Sequence, residues 1–67
     1  DVLLFGRAGC AHCARAKKLL TEKGYSYDEV RATPRNLRAV SGKSTTPQIF
    51  IDGKYVGGAD ELEKYFA

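Results

Sequence analysis

Apolar residues fall along this chain in short blocks, and the rhythm inside each block differs. Val2 to Phe5 is an unbroken apolar run ahead of Gly6, the pattern of a central strand covered on both faces. From Ala11 to Lys23 the chain is rich in Ala, Leu, Lys and Arg, all good helix formers. Cys13, Ala16 and Leu20 recur there at helical spacing, with Leu19 beside them. Lys17, Lys18 and Lys23 gather toward the C-terminal half, where cations suit the dipole, and Gly24 is a natural stop. "YSYDEV", residues 25–30, predicts a second strand. Strand, helix and strand within about 30 residues make a βαβ unit, so the two strands are expected to be parallel.

Thr33 followed by Pro34 reads as an N-cap with proline at the first helical position. Leu37 and Val40 give that short helix an apolar face, and Gly42 ends it. In "QIFIDGKYV", Ile49–Ile51 and Tyr55–Val56 flank Asp52-Gly53, a preferred two-residue hairpin turn. Gly57 and Gly58 break the chain, and "ADELEKYF" predicts a last helix carrying Leu62, Tyr65 and Phe66. The expected architecture is α/β, in the order β-α-β-α-β-β-α, with a mixed four-stranded sheet flanked by helices. There are no repeats, linkers or low-complexity segments, and the 67 residues form one domain, 1–67.

Composition narrows the function. Charged residues are 28% and hydrophobic ones 43%, ordinary for a soluble domain. No apolar run approaches the roughly 20 residues of a membrane span. The opening residues read as a strand rather than a signal peptide, and a membrane role is not expected. The net charge is +3, unevenly placed: residues 1–43 hold nine Lys or Arg against four acids, and residues 44–67 hold two against four. This suits either solvated helix faces or a basic face that steers an anionic ligand toward the cysteines. Nucleic acid is disfavoured, because aromatics do not interleave the basic residues and no nucleic-acid motif is present.

The chemistry concentrates in "GRAGCAHCARAKK". Cys10 and Cys13 are the only cysteines, and the single histidine, His12, lies between them. A structural bridge across so small a loop would constrain the unfolded chain little. A zinc site wants four ligands, and no second Cys or His pair exists, so no metal is expected. A redox couple remains, supported by C-x-x-C ahead of a helix in a βαβ context. Cys10 falls where the first strand hands over to the helix. There the free N–H groups and the dipole stabilise a thiolate. A free cysteine is only about 3% thiolate at pH 7.

Three stretches together, "GRAGCAHCARAKKLLTEKG", "TTPQIFIDGKYVGG" and "ADEL", resemble the glutaredoxins of the thioredoxin superfold over essentially the whole chain. The resemblance implies a dithiol enzyme that uses glutathione as co-substrate, with Cys10 as nucleophile and Cys13 as resolving thiol. It implies a cis bond before Pro47, and a Thr46 backbone that pairs with the cysteinyl group of glutathione. Gly58, Ala59 and Asp60 match the family's γ-glutamyl contact. Ala59 and Asp60 N–H groups would hold the carboxylate, and the Asp60 side chain would take the ammonium or cap the helix. Arg7 corresponds to a cation for the glycyl carboxylate, with Lys43 assisting and Arg38 a further candidate.

Two departures stand out: Ala11-His12 replaces the frequent Pro-Tyr, and Thr46 stands where valine is common. Thr46 is expected to matter little, since its backbone makes the contact. The resemblance also counts His12 and Pro47 among the glutathione contacts; toward Cys10, His12 either tunes the thiolate or only faces solvent. The resemblance further implies a cytoplasmic monomer acting on glutathionylated or disulfide-containing proteins. Over these residues, a free-standing protein and a domain fused to, or serving, a peroxidase or reductase would look alike. An electron-donor redoxin recharged by a thioredoxin-type reductase, and a glutathione-assisted iron–sulfur carrier, are the alternatives. The second is disfavoured by Ala-His-Cys where such carriers usually have Gly-Phe-Ser.

Overall fold

The computed structural model describes residues 1–67 and shows the expected seven elements. They are β1 (Val2–Gly6), α1 (Ala11–Glu22), β2 (Asp28–Arg31), α2 (Pro34–Ser41), β3 (Gln48–Ile51), β4 (Lys54–Gly57) and α3 (Ala59–Phe66). The sheet order is β2-β1-β3-β4, with β1 parallel to β2 and antiparallel to β3, and β3 antiparallel to β4. Thioredoxin-like topology follows from this arrangement.

Alternation along the strands sorts the core. Val2, Leu4, Ile49 and Ile51 meet Ala16 and Leu20 of α1 and Ala59 and Leu62 of α3 in one buried cluster. Leu4, Leu20, Ile49 and Leu62 are fully buried there, each contributing about 1.5–3 kcal/mol of transfer free energy. The neighbouring positions point the other way, and the Phe5 and Phe50 rings meet edge-on at 5.8 Å.

Local signals act mostly as expected. Thr33 Oγ1 accepts the Asn36 N–H at 3.1 Å and Asn36 Oδ1 accepts the Thr33 N–H at 2.9 Å, a reciprocal cap on α2. Asp52 and Gly53, with φ of 51° and 79°, form the β3–β4 turn, whose left-handed pair matches the twist of a hairpin.

Three expectations need correction. Tyr25, Ser26 and Tyr27 are not strand, and β2 begins only at Asp28. The Gly24 and Tyr25 N–H groups close the end of α1 by bonding the Thr21 and Leu20 carbonyls, so this segment is spent on the helix terminus. Lys23 is the C-cap of α1 rather than its last residue. Val40 is also not part of a buried face: it is 43% exposed, and Leu37 alone anchors α2 in the interior.

Topology brings three connections to one end of the sheet. β1 leads out to Cys10. Its antiparallel partner β3 enters through Pro47, because Phe5 pairs with Gln48. β4 leaves through Gly57, paired with Ile49 after a register shift between Ile49 and Phe50.

Candidate active site

Cys10 is the N-cap residue of α1, and its side chain takes the place usually filled by Ser or Asp. The Cys13 N–H donates to Cys10 Sγ at 3.2 Å. Cys10 and Cys13 are joined as a disulfide, with their Cα atoms 5.2 Å apart. Cys13 is fully buried while Cys10 is half-buried, so the nucleophile and the resolving sulfur differ in access.

Opposite Cys10 stands the loop before β3. The Thr46–Pro47 bond is cis. The Thr46 hydroxyl lies 3.6 Å from Cys10 Sγ and its carbonyl oxygen 4.0 Å away. The Thr46 side chain therefore reaches the reactive sulfur, a contact in addition to the backbone role that the resemblance implies. Neither the N–H nor the carbonyl of Thr46 is used in a backbone hydrogen bond, so both are free to pair with an extended ligand.

Gln48 was not singled out in the sequence, yet it is the only buried polar side chain. Its Nε2 donates to the carbonyls of Lys43 at 2.9 Å and Thr45 at 3.0 Å, pinning the loop that carries Thr46. Its Oε1 meets no donor of the chain. Reversing the amide would set that oxygen against two carbonyls, so the orientation is determined. The available signal was a lone polar residue opening the otherwise apolar "QIFI" strand.

The third wall is the start of α3. Gly58 is its N-cap and has no side chain to accept a bond from the free N–H groups. Glu61 Oε1 reaches back to accept the Gly58 N–H at 2.8 Å, leaving the next N–H groups of the helix free. Gly57 has φ of 128°, and a Cβ there would lie 2.7 Å from Glu61 Cγ, so this capping side chain requires glycine.

Together these walls frame an open cleft of about 590 Å³, within the range of small-molecule sites. His12, Lys43, Thr46, Pro47, Gly58, Ala59 and Asp60 all line it. Lys43 Nζ sits 5.6 Å from the Tyr55 ring centroid, a cation held over an aromatic face. Arg7 is not among these residues. It lines a separate groove with Lys17, Glu29 and Arg31.

Asp60 is already occupied. Arg15 Nη2 donates to Asp60 Oδ1 at 2.7 Å, and Arg15 Nη1 pairs with Glu63 Oε2 at 3.0 Å, tying α1 to α3. Hydrogen bonding from Arg15 holds the Asp60 carboxyl below its ordinary range. The side chain thus neither caps α3 nor stands free. The same Arg15 Nη2 lies 3.3 Å from His12 Nδ1. Arginine only donates, so Nδ1 must be the unprotonated ring nitrogen in this contact. Arg15 escaped the sequence reading because its partners lie 45 and 48 residues away on another helix.

A half-buried sulfur at a helix N-cap, bridged to a buried one within a thioredoxin-like fold, defines a thiol–disulfide oxidoreductase. Comparison with known proteins makes this specific. The glutaredoxin family model matches residues 2–56, and the chain belongs to the glutaredoxin family. Glutaredoxin 3 of Escherichia coli (strain K12) is 39% identical over 67 residues, covering 92% of this chain and 81% of that protein. The hybrid peroxiredoxin hyPrx5 of Haemophilus influenzae is 51% identical over 71 residues; the match covers 100% of this chain but 30% of that protein's length. Among solved structures, glutaredoxin from Brucella melitensis is similar at a TM-score of 0.83 and 44% identity, covering 98% of this chain and 77% of that one. A buckwheat glutaredoxin–glutathione complex is similar at a TM-score of 0.82 and 30% identity, covering 97% and 67%.

Proposed function

We propose that this domain is a glutathione-dependent thiol–disulfide oxidoreductase that reduces protein–glutathione mixed disulfides and protein disulfides. One observation carries the reading: Cys10 Sγ, at the N-cap of α1, lies 3.6 Å from the hydroxyl of Thr46, whose residue, with its unpaired backbone, lines a cleft shared with the start of α3.

The Cys10 thiolate attacks the glutathione sulfur of a mixed disulfide. A Cys10–glutathione bond forms, and the protein thiolate leaves and takes a proton from solvent. A second glutathione, as thiolate, attacks the bound glutathione sulfur. Oxidised glutathione departs and the Cys10 thiolate is restored. With a protein disulfide, Cys10 forms the mixed bond and Cys13 displaces the second substrate thiol, leaving Cys10–Cys13 oxidised. Thr46 pairs with the cysteinyl group, and the Ala59 and Asp60 N–H groups hold the γ-glutamyl carboxylate. Lys43, which lines the cleft, and Arg7, which lines a separate groove, are the candidate cations for the glycyl carboxylate.

Cys10→Ser is expected to abolish glutathione-coupled reduction of a small mixed disulfide. Cys13→Ser is expected to keep much of that activity and lose reduction of protein disulfides. Full turnover by the Cys10 variant would overturn the assignment.

The likeness to the hybrid peroxiredoxin favours a second reading, in which the reduced pair supplies electrons to a peroxidase, fused or separate. Peroxide consumption by a peroxiredoxin that requires both glutathione and this domain is the measurement that supports it.

A further inference from the structure

We infer that the Thr46 hydroxyl is a positioning and charge-stabilising group for Cys10, donating a hydrogen bond to its thiolate and so setting how readily the nucleophile ionises and leaves. The inference rests on the oxidoreductase reading and adds a side chain to it.

Cys10 Sγ is the only group of the chain within hydrogen-bond reach of the Thr46 hydroxyl, at 3.6 Å. In the disulfide the sulfur carries no proton, so the hydroxyl must be the donor. A disulfide sulfur is a poor acceptor, whereas a thiolate is a charged one, and charge-assisted hydrogen bonds are roughly twice as strong as neutral ones. The contact therefore gains most of its strength on reduction. It joins the Cys13 N–H, 3.2 Å from the same sulfur, as a second donor from a different element. The Thr46 carbonyl, 4.0 Å away, can accept only from the protonated thiol. The hydroxyl favours the thiolate and the carbonyl favours the thiol, so removing the hydroxyl alone tips the balance toward the thiol. Its place is fixed from below, because Gln48 clamps the carbonyl of the preceding residue, Thr45.

Other titratable or charged groups belong to the elements surrounding this sulfur. Facing it from those elements are Arg7 on the loop before α1, His12, Cys13 and Arg15 on α1, Lys43 before β3 and Asp60 on α3. Apart from Cys13, none of them bonds Cys10 Sγ; Asp60 and His12 are engaged by Arg15, and Lys43 lies over Tyr55. Thr46 therefore acts on Cys10 without an intermediary.

Thr46→Val removes the hydroxyl and keeps the shape. On a Cys13→Ser background only Cys10 titrates as a thiol, and thiolate ultraviolet absorbance reads its midpoint in the reduced protein without glutathione. The midpoint is expected to rise by about one pH unit, the scale of one hydrogen bond to a charged group. Alkylation by iodoacetamide near pH 6 should slow about tenfold, with the gap closing at alkaline pH. Thr46→Ser should restore both values, and Thr46→Ala, which perturbs packing differently, should match the valine variant. An unmoved midpoint in Thr46→Val, or a serine variant that behaves like valine, overturns the inference. Both readouts are free of glutathione, so failure of glutathione turnover in the parent would count against the proposed function alone.

Discussion

Single residues at this site do more than one thing, and Arg15 is the plainest case. It ties Asp60 and Glu63 to α1 and presents a donor to His12 Nδ1. This settles the position of the histidine between the cysteines: its Nδ1 turns to Arg15. The Asp60 carboxyl is held below its ordinary value, near 3.8, first by the Arg15 hydrogen bond and then by its charge. A group depressed in the folded state stabilises above its unfolded value and loses that contribution as pH falls through the folded value. Asp60→Asn is therefore expected to lower the melting temperature at pH 7 and to match the parent at pH values where Asp60 is protonated. Melting curves across that range check it, and added salt should narrow the gap, because both side chains are exposed. Cys10 and Cys13 were legible in the sequence because their geometry is local to one helical turn. The Arg15–Asp60 pair was not, because it depends on how two distant helices cross.

Among the elements, those announced by turn and cap chemistry formed where the sequence placed them. Thr33-Pro34, Gly42 and Asp52-Gly53 each act within a few residues of themselves, so a reading of neighbours suffices. β2 started late because closing α1 consumed Tyr25, a competition for backbone partners that strand-like composition does not reveal. Val40 had the right spacing but no neighbour to cover it. "GGADE" was legible as the break before the last helix, while the particular need for Gly57 was not. Its Cβ would strike the side chain of Glu61, which caps α3 from within. Gly57→Ala is expected to cost about 1–3 kcal/mol through forced packing and an unfavourable φ. A drop in the urea midpoint, with a raised KM for glutathione as the α3 N-terminus shifts, is the measurement that checks it.

The molecule as a whole has little stability to spare. Only 15 of its 67 residues are buried, and one cluster holds both α1 and α3 against the sheet. At roughly 0.05–0.15 kcal/mol per residue, a domain of this size is marginal. Leu62→Ala removes a fully buried side chain from that cluster, and such changes cost about 2–5 kcal/mol. The variant is expected to be largely unfolded at 37 °C by circular dichroism. The sheet also ends openly on both sides, at β2 and at β4. Open edges invite the addition of further strands and, from there, fibrous growth. Each edge here is only four residues long; Asp28, Glu29 and Arg31 stud one, and Lys54 begins the other. Another chain laid alongside β2 would meet a seam lined with charge, and one laid alongside β4 a ladder only four residues long, so neither edge is a good template for strand addition.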